Sequence, residues 1–226
     1  MKGGRGLFVD MDGTIADSLP VLQRVYYLFL SNHGQQGSQV NFAELNGIPL
    51  REVVQNLKEK YGLPGTIDEL LQEYRQLALA TYTQEVVPII GAEELLQEAV
   101  QQGWQVAVVT SNLREYATNW LNHTGLSRWV TCIVGADSVE RGKPFPDPFL
   151  LALSQTDCLS YQSLAVEDSL IGARSALQAG LKTVVRIAAY NKNYDWPDEV
   201  IPVTHLQEII PMLHQQEGSH VPAFPV

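Results

Sequence analysis

The sequence predicts a doubly wound α/β domain interrupted, after its first strand, by an all-helical insert. Three observations carry this. Five short apolar runs have strand length and are rich in Val, Ile and Leu; helical patterns alternate with the later ones; and the interval 18–87 contains no good strand pattern.

The strand runs are 6–10, 106–110, 130–134, 163–167 and 183–187. Continuous apolar runs of this length mark strands buried on both faces, as in a parallel sheet. Between them, 92–102 places Leu95, Leu96, Ala99 and Val100 on one helical face, and 113–123 and 170–179 behave similarly. Gly103, Gly125 and Gly180 follow these helices at the position where a left-handed residue closes the last turn. Strands alternating with helices give a doubly wound sheet.

The interval 18–87 reads as helices at 19–33, 50–61 and 67–82, separated by the glycine-flanked breaks 34–37 and 62–65 and followed by Pro88. This is too long for one crossover. The expected organisation is an α/β core from 1–17 and 88–216, a helical cap subdomain at 18–87, and a disordered tail at 217–226, where Gly, Pro and Ser replace periodicity.

A chain of 226 residues has room for one core and a small accessory unit. With 45% hydrophobic and 18% charged residues it is globular rather than disordered. Its net charge is -10, from 15 Lys+Arg against 25 Asp+Glu. That gives no global attraction for nucleic acid or an anionic bilayer. No apolar run is long enough to span a membrane, and 1–12 lacks the long apolar stretch of a signal peptide. Cys132 and Cys158 fit neither a metal motif nor a disulfide framework. Cys132, in an apolar run, is expected to be a small buried hydrophobe. These features predict a soluble cytoplasmic protein, a monomer or small homo-oligomer. Tyr190, Tyr194 and Trp196 in 188–197 read equally as a partner surface, a cap contact or an ordinary loop.

The sharpest chemical signal is Phe8-Val9-Asp10-Met11-Asp12-Gly13-Thr14. An extended chain points Asp10 and Asp12 the same way. Burying like charges together is costly unless a cation or a proton is shared. The apolar run before them places the pair at the C-terminal edge of the sheet, where open α/β folds bind ligands. Three further signals end later strands. Thr110-Ser111-Asn112 offers hydroxyls and backbone N–H groups suited to phosphate oxygens, although alone it reads as an N-cap. Lys143, between Gly142 and Pro144, can deliver a fixed charge, or be a solvated surface lysine. Glu167-Asp168-Ser169 supplies more acid, or starts a helix. Clustered acids suit a hard cation; hydroxyls and one lysine suit an anion.

These four signals, in this order, resemble the motifs of the haloacid dehalogenase superfamily, from the first strand to about Ile187. The insert resembles its C1 cap on a Rossmann-like core. Gly172-Ala173-x-Ser175-Ala176-x-x-Ala179-Gly180 is most similar to the phosphoglycolate phosphatase and β-phosphoglucomutase branch. The resemblance implies a phosphatase acting on a small phosphorylated metabolite. Asp10 would be the nucleophile and Asp12 the general acid and base. Mg²⁺ would be held by Asp10, the Asp12 carbonyl and Asp168, with Glu167 either a further ligand or a group behind the ligands. Thr110 and Lys143 would bind phosphate, helped by Ser111 and Asn112. A dehalogenase proper would not need Asp12. A β-phosphoglucomutase-type mutase is the alternative, but such chains carry a His where this one has Leu22, and often Val in place of Thr14. A phospho-acceptor or silent binding module would not explain the insert or the complete set of catalytic residue types. The stretch from Asn46 to Arg51 resembles the branch's specificity loop. Arg51, with Arg75, would contact a polar or anionic substrate group, although Arg51 reads equally well as a solvated helix residue.

Overall fold

The computed structural model describes residues 3–45 and 48–214. The tail expected at 217–226, and Asn46 and Gly47 of the specificity-loop stretch, lie outside the described residues. Strand β1 (Gly6–Val9) is followed by helices α1 (Leu19–Asn32), α2 (Gln39–Glu44), α3 (Leu50–Tyr61) and α4 (Ile67–Glu85) before the next strand. Then come α5 (Ala92–Gln101), β2 (Gln105–Val109), α6 (Arg114–Thr124), β3 (Cys132–Val134), α7 (Asp147–Thr156), β4 (Leu164–Glu167), α8 (Leu170–Gln178), β5 (Lys182–Arg186), β6 (Ile201–Val203) and α9 (Ile210–Leu213).

The strands form one six-stranded sheet in the order β3-β2-β1-β4-β5-β6, and every neighbouring pair is parallel. β1 is central, and β2 and β4 flank it. The chain leaves β1 on one side and returns on the other, which opens a crevice at the carboxyl ends of β1 and β4. Side-chain alternation divides β1 between two cores. Leu7 and Val9 join Leu95, Val108 and Trp120 on one face. Phe8 joins Val109, Phe149 and Ala176 on the other.

Helices α1, α3 and α4 share a third cluster of their own, built from Tyr26, Phe29, Val54, Leu57, Leu70 and Tyr74. Fully burying a side chain such as Phe29 contributes about 1.5–3 kcal/mol, so these helices have their own reason to pack together. α4 begins with a capping box, in which Thr66 and Glu69 satisfy each other's backbone N–H groups. Gly103, Gly125 and Gly180 take φ of 79°, 76° and 77° at the ends of α5, α6 and α8, as their spacing predicts.

Helices α2 and α7 were not expected, and two features at the sheet edges also depart from expectation. β6 carries little sequence signal because it has three residues with Pro202 at its centre, and the sheet edge is where such a strand survives. Cys132 is half-buried rather than buried, because β3 is the opposite edge strand. No helix among the described residues is long and apolar enough to cross a membrane.

Candidate active site

β1 ends at Val9, and the Asp10 N–H continues the ladder to Val166 O at 2.9 Å. The chain then turns sharply, with Gly13 N donating to Ala16 O at 2.9 Å. Gly13 has φ 81°, and a Cβ there would stand 2.1 Å from Asp168 Oδ2. Only glycine meets both demands.

Lys143 rises under β1 from the loop before α7 and is 6% exposed. Its ammonium donates to Asp10 Oδ1 at 2.7 Å, Val109 O at 2.8 Å and Glu167 Oε1 at 2.5 Å. All three protons are therefore used. Burial alone would lower its pKa, but the Asp10 and Glu167 carboxylates more than offset that and hold it above the usual lysine range. Lys143 stays charged.

Glu167 ends β4 and is fully buried. One oxygen meets Lys143; the other accepts from Asp168 N at 3.2 Å and Ser169 Oγ at 3.1 Å. Gly172 leaves room for it, since a Cβ there would lie 2.1 Å from the carboxylate. Burial pushes the Glu167 carboxyl up to about 7, with Lys143 pulling the other way. Ser169 caps α8 through Gly172 N at 3.1 Å, which leaves Asp168 free to face the crevice. Thr14 Oγ1 donates to Asp168 Oδ1 at 3.4 Å, and the Tyr190 hydroxyl donates to Oδ2. Burial, then the Asp10 and Glu167 charges, raises the Asp168 pKa well above its ordinary value.

Asp10, Glu167 and Asp168 each offer a carboxylate oxygen, and these oxygens lie within 4.8 Å of one another. Three buried acids face one lysine. The set is all oxygen and carries excess negative charge, which is what a hard divalent cation requires. The Asp12 side chain is engaged elsewhere: it accepts a hydrogen bond from the Tyr82 hydroxyl of α4. Burial pushes its carboxyl up, against the pull of the Ser18 and Tyr82 hydroxyls.

Thr110 Oγ1 accepts from Asn112 N at 3.0 Å, and Asn112 Oδ1 accepts from Leu113 N at 2.9 Å. The N-cap position of α6 is Leu113, which has no side-chain cap bond. Thr110, Ser111 and Asn112 instead line a cavity of about 720 Å³ together with Asp10, Asp12 and Asp168. Arg51 lies apart, exposed on the first turn of α3 and paired with Asp68 at 2.8 Å. Neither Arg51 nor Arg75 lines the cavity.

The structure adds contacts that the sequence reading did not assign. Arg186 Nη1 donates to Gly13 O at 2.7 Å. Asn191 Nδ2 donates to Asp168 O at 2.8 Å and Arg186 O at 2.9 Å. Ser175 Oγ donates to Phe145 O at 2.5 Å, tying the lysine loop to α8. Tyr190 and Tyr194 line the cavity, so 188–197 is a wall of the site. Its aromatic residues were the one available signal.

The family profile of haloacid dehalogenase-like hydrolases matches residues 7–186. This chain belongs to that family. It is 30% identical over 219 residues to hexitol phosphatase A of Escherichia coli K12, covering 95% of this chain and 97% of that protein. It is 28% identical over 199 residues to the bifunctional riboflavin kinase/FMN phosphatase of Arabidopsis thaliana, covering 86% of this chain and 52% of that one, so it spans about half of the longer protein. CbbY of Rhodobacter sphaeroides, solved in complex with phosphate, superposes with a TM-score of 0.83 at 22% identity over 91% of this chain and 96% of CbbY. That likeness is one of fold. The phosphatase expected from the four motifs agrees with the family and with these curated relatives: the chain is an enzyme, a phosphatase-type hydrolase.

Proposed function

We propose that this enzyme hydrolyses a small phosphate monoester through a phosphoaspartyl intermediate on Asp10, with Mg²⁺ held between Asp10, the Asp12 carbonyl and Asp168. One observation carries the reading. Asp10 is fixed by a buried, fully bonded Lys143 in the floor of a cavity that also contains Asp12.

In the first step an Asp10 oxygen attacks phosphorus and the bond from phosphorus to the ester oxygen breaks. Asp12 gives its proton to the departing oxygen, releasing the alcohol. In the second step Asp12 takes a proton from water, whose oxygen attacks phosphorus. The bond from phosphorus to Asp10 then breaks and inorganic phosphate leaves. Splitting the displacement replaces one hard step with two easier ones. The raised Asp12 pKa favours the protonated form that the first step needs. A bound Mg²⁺ offsets the repulsion between the phosphate and the carboxylate. Lys143 does the same from below, and Thr110, Ser111 and Asn112 supply donors to the phosphate oxygens. Glu167 serves as the anchor of Lys143, since both its oxygens are already engaged.

The unit 18–87 is read as a cap that covers the site and excludes bulk water. Leu22 lines the cavity. An apolar side chain there has no proton to manage, which favours transfer to water over a mutase-type return of the phosphoryl group.

The test is phosphate release from a panel of small esters, with and without Mg²⁺, by wild type and Asp10→Asn. Mg²⁺-dependent release that the substitution abolishes is expected. Release that survives it would mean a different nucleophile.

A further inference from the structure

We infer that the preferred ester carries an uncharged, largely apolar leaving group with an aromatic ring, and not a second anionic group. This rests on the phosphatase reading and concerns the part of the cavity beyond the phosphate.

The cavity has two chemically distinct ends. Most of its polar groups, Asp10, Asp12, Ser111, Asn112 and Asp168 among them, follow the carboxyl ends of the strands, while Glu44 stands on the insert. The opposite wall comes mostly from the helical insert, and Leu22, Phe42, Leu45, Val53 and Tyr74 dominate it. Tyr116 of α6 completes that wall. Among the described residues the charged lining side chains are Asp10, Asp12, Glu44 and Asp168, and no Lys, Arg or His lines the cavity. Asn46 and Gly47, outside the description, carry no charge either.

A second carboxylate or phosphate on the substrate would be stripped of water against this wall, with Glu44 as its charged neighbour. Burying an unpaired anion is costly, so the wall selects against it. A polyol would need several hydrogen-bond partners there; of the five lining tyrosines, Tyr82, Tyr116 and Tyr190 donate their hydroxyl protons within the protein, which leaves the hydroxyls of Tyr74 and Tyr194. Tyr116 donates to Arg75 O at 3.0 Å, and Tyr82 donates to Asp12. The rings of Tyr82 and Tyr116 meet edge to face with centroids 6.4 Å apart. They form an aromatic corner into which a further ring can pack. The cavity, about 720 Å³, falls inside the roughly 300–1,000 Å³ typical of sites for ring-sized ligands. A two-carbon acid would leave most of it unfilled.

The experiment compares 2-phenylethyl phosphate, phosphoglycolate and sorbitol 6-phosphate, three esters of alcohol leaving groups, with Mg²⁺ present. Steady-state kcat/KM is measured on wild type, and calorimetric binding on Asp10→Asn. The phenylethyl ester is expected to lead phosphoglycolate and sorbitol 6-phosphate on the order of 10–100-fold in both assays, the range that burial of one apolar group supports. Equal or better binding of phosphoglycolate or the sorbitol ester overturns the inference. If wild type releases phosphate from none of them but the phenylethyl ester binds tightest, the phosphatase reading fails and the inference about the wall stands. Leu22→Lys places a cation in the wall and is expected to shift the ratio at least tenfold towards phosphoglycolate; an unchanged ratio in a folded variant counts against the wall as the selecting element.

Discussion

The Tyr82 hydroxyl donates to Asp12 Oδ1 across 70 residues of sequence. The last turns of α4 thus reach down from the helical insert to hold the residue assigned as general acid and base. Tyr82 itself is fully buried, so Tyr82→Phe keeps the packing and removes only the bond. A hydrogen bond to an ionisable group contributes about 1.5–3 kcal/mol, so kcat is expected to fall by roughly tenfold or more with KM little changed. A fall below twofold would show that Tyr82 merely packs.

Gly172→Ala should look harmless by helix propensity, where alanine gains up to about 1 kcal/mol over glycine. The structure predicts damage instead. The new methyl would meet the Glu167 carboxylate at 2.1 Å, and displacing that carboxylate removes one of the three partners of Lys143. Expected are a folded protein, a kcat lower by at least tenfold, and lower thermal stability than wild type. Unchanged kinetics would mean that Glu167 moves aside without consequence.

The proposed site residues were legible because most of their signals are local. Asp10, Thr110 and Asp168 each sit just past an apolar run, and a parallel sheet brings such ends to one edge; Lys143 arrives from the loop between β3 and α7. The α1–α4 block was visible as an absence of strand pattern. The supporting residues were not legible. Tyr82, Arg186 and Asn191 act through contacts between distant segments, and nothing in their own neighbourhoods marks them; Tyr190 showed only as one of the aromatic residues of 188–197. α7 was hidden because Pro146 and Pro148 break its opening and its Phe-Leu-Leu-Ala-Leu run lacks a polar face. For Arg51 the sequence left a substrate contact and a solvated helix position equally open. Arg51 was an obvious cation in the sequence, yet Asp68 pairs with it outside the cavity.

Tyr190→Phe tests the wall formed by 188–197. The hydroxyl bonds both Asp168 Oδ2 and Gly13 O, fixing a proposed metal ligand from behind. Loss of such an orienting partner costs on the order of 10–100-fold in metal affinity. The Mg²⁺ concentration giving half activity is expected to rise by about tenfold, with the rate at saturating Mg²⁺ nearly restored. A fall in the saturating rate without a change in Mg²⁺ requirement would place Tyr190 on the substrate instead.

The three-acid cluster also dictates how the metal-free protein responds to pH. Burial moves the Glu167 carboxyl from 4.5 to about 7 and lifts Asp168 in the same direction. Between those values the folded chain keeps protons that the unfolded chain has lost. Stability therefore falls as pH rises through this window. Glu69 and Glu208 have lowered values, so their contribution grows as pH rises towards 4.5 and is nearly complete above it; they do not compensate. The proposed Mg²⁺ would bind the ionised carboxylates, so its stabilisation would grow as they lose their protons. Thermal unfolding in EDTA is expected to give a lower Tm at about pH 7.5 than at about pH 5.5. Excess Mg²⁺ should raise Tm more at the higher pH, and Glu167→Gln should flatten the EDTA profile. A Tm in EDTA that climbs across this range would contradict the buried, proton-sharing cluster from which the metal site is inferred.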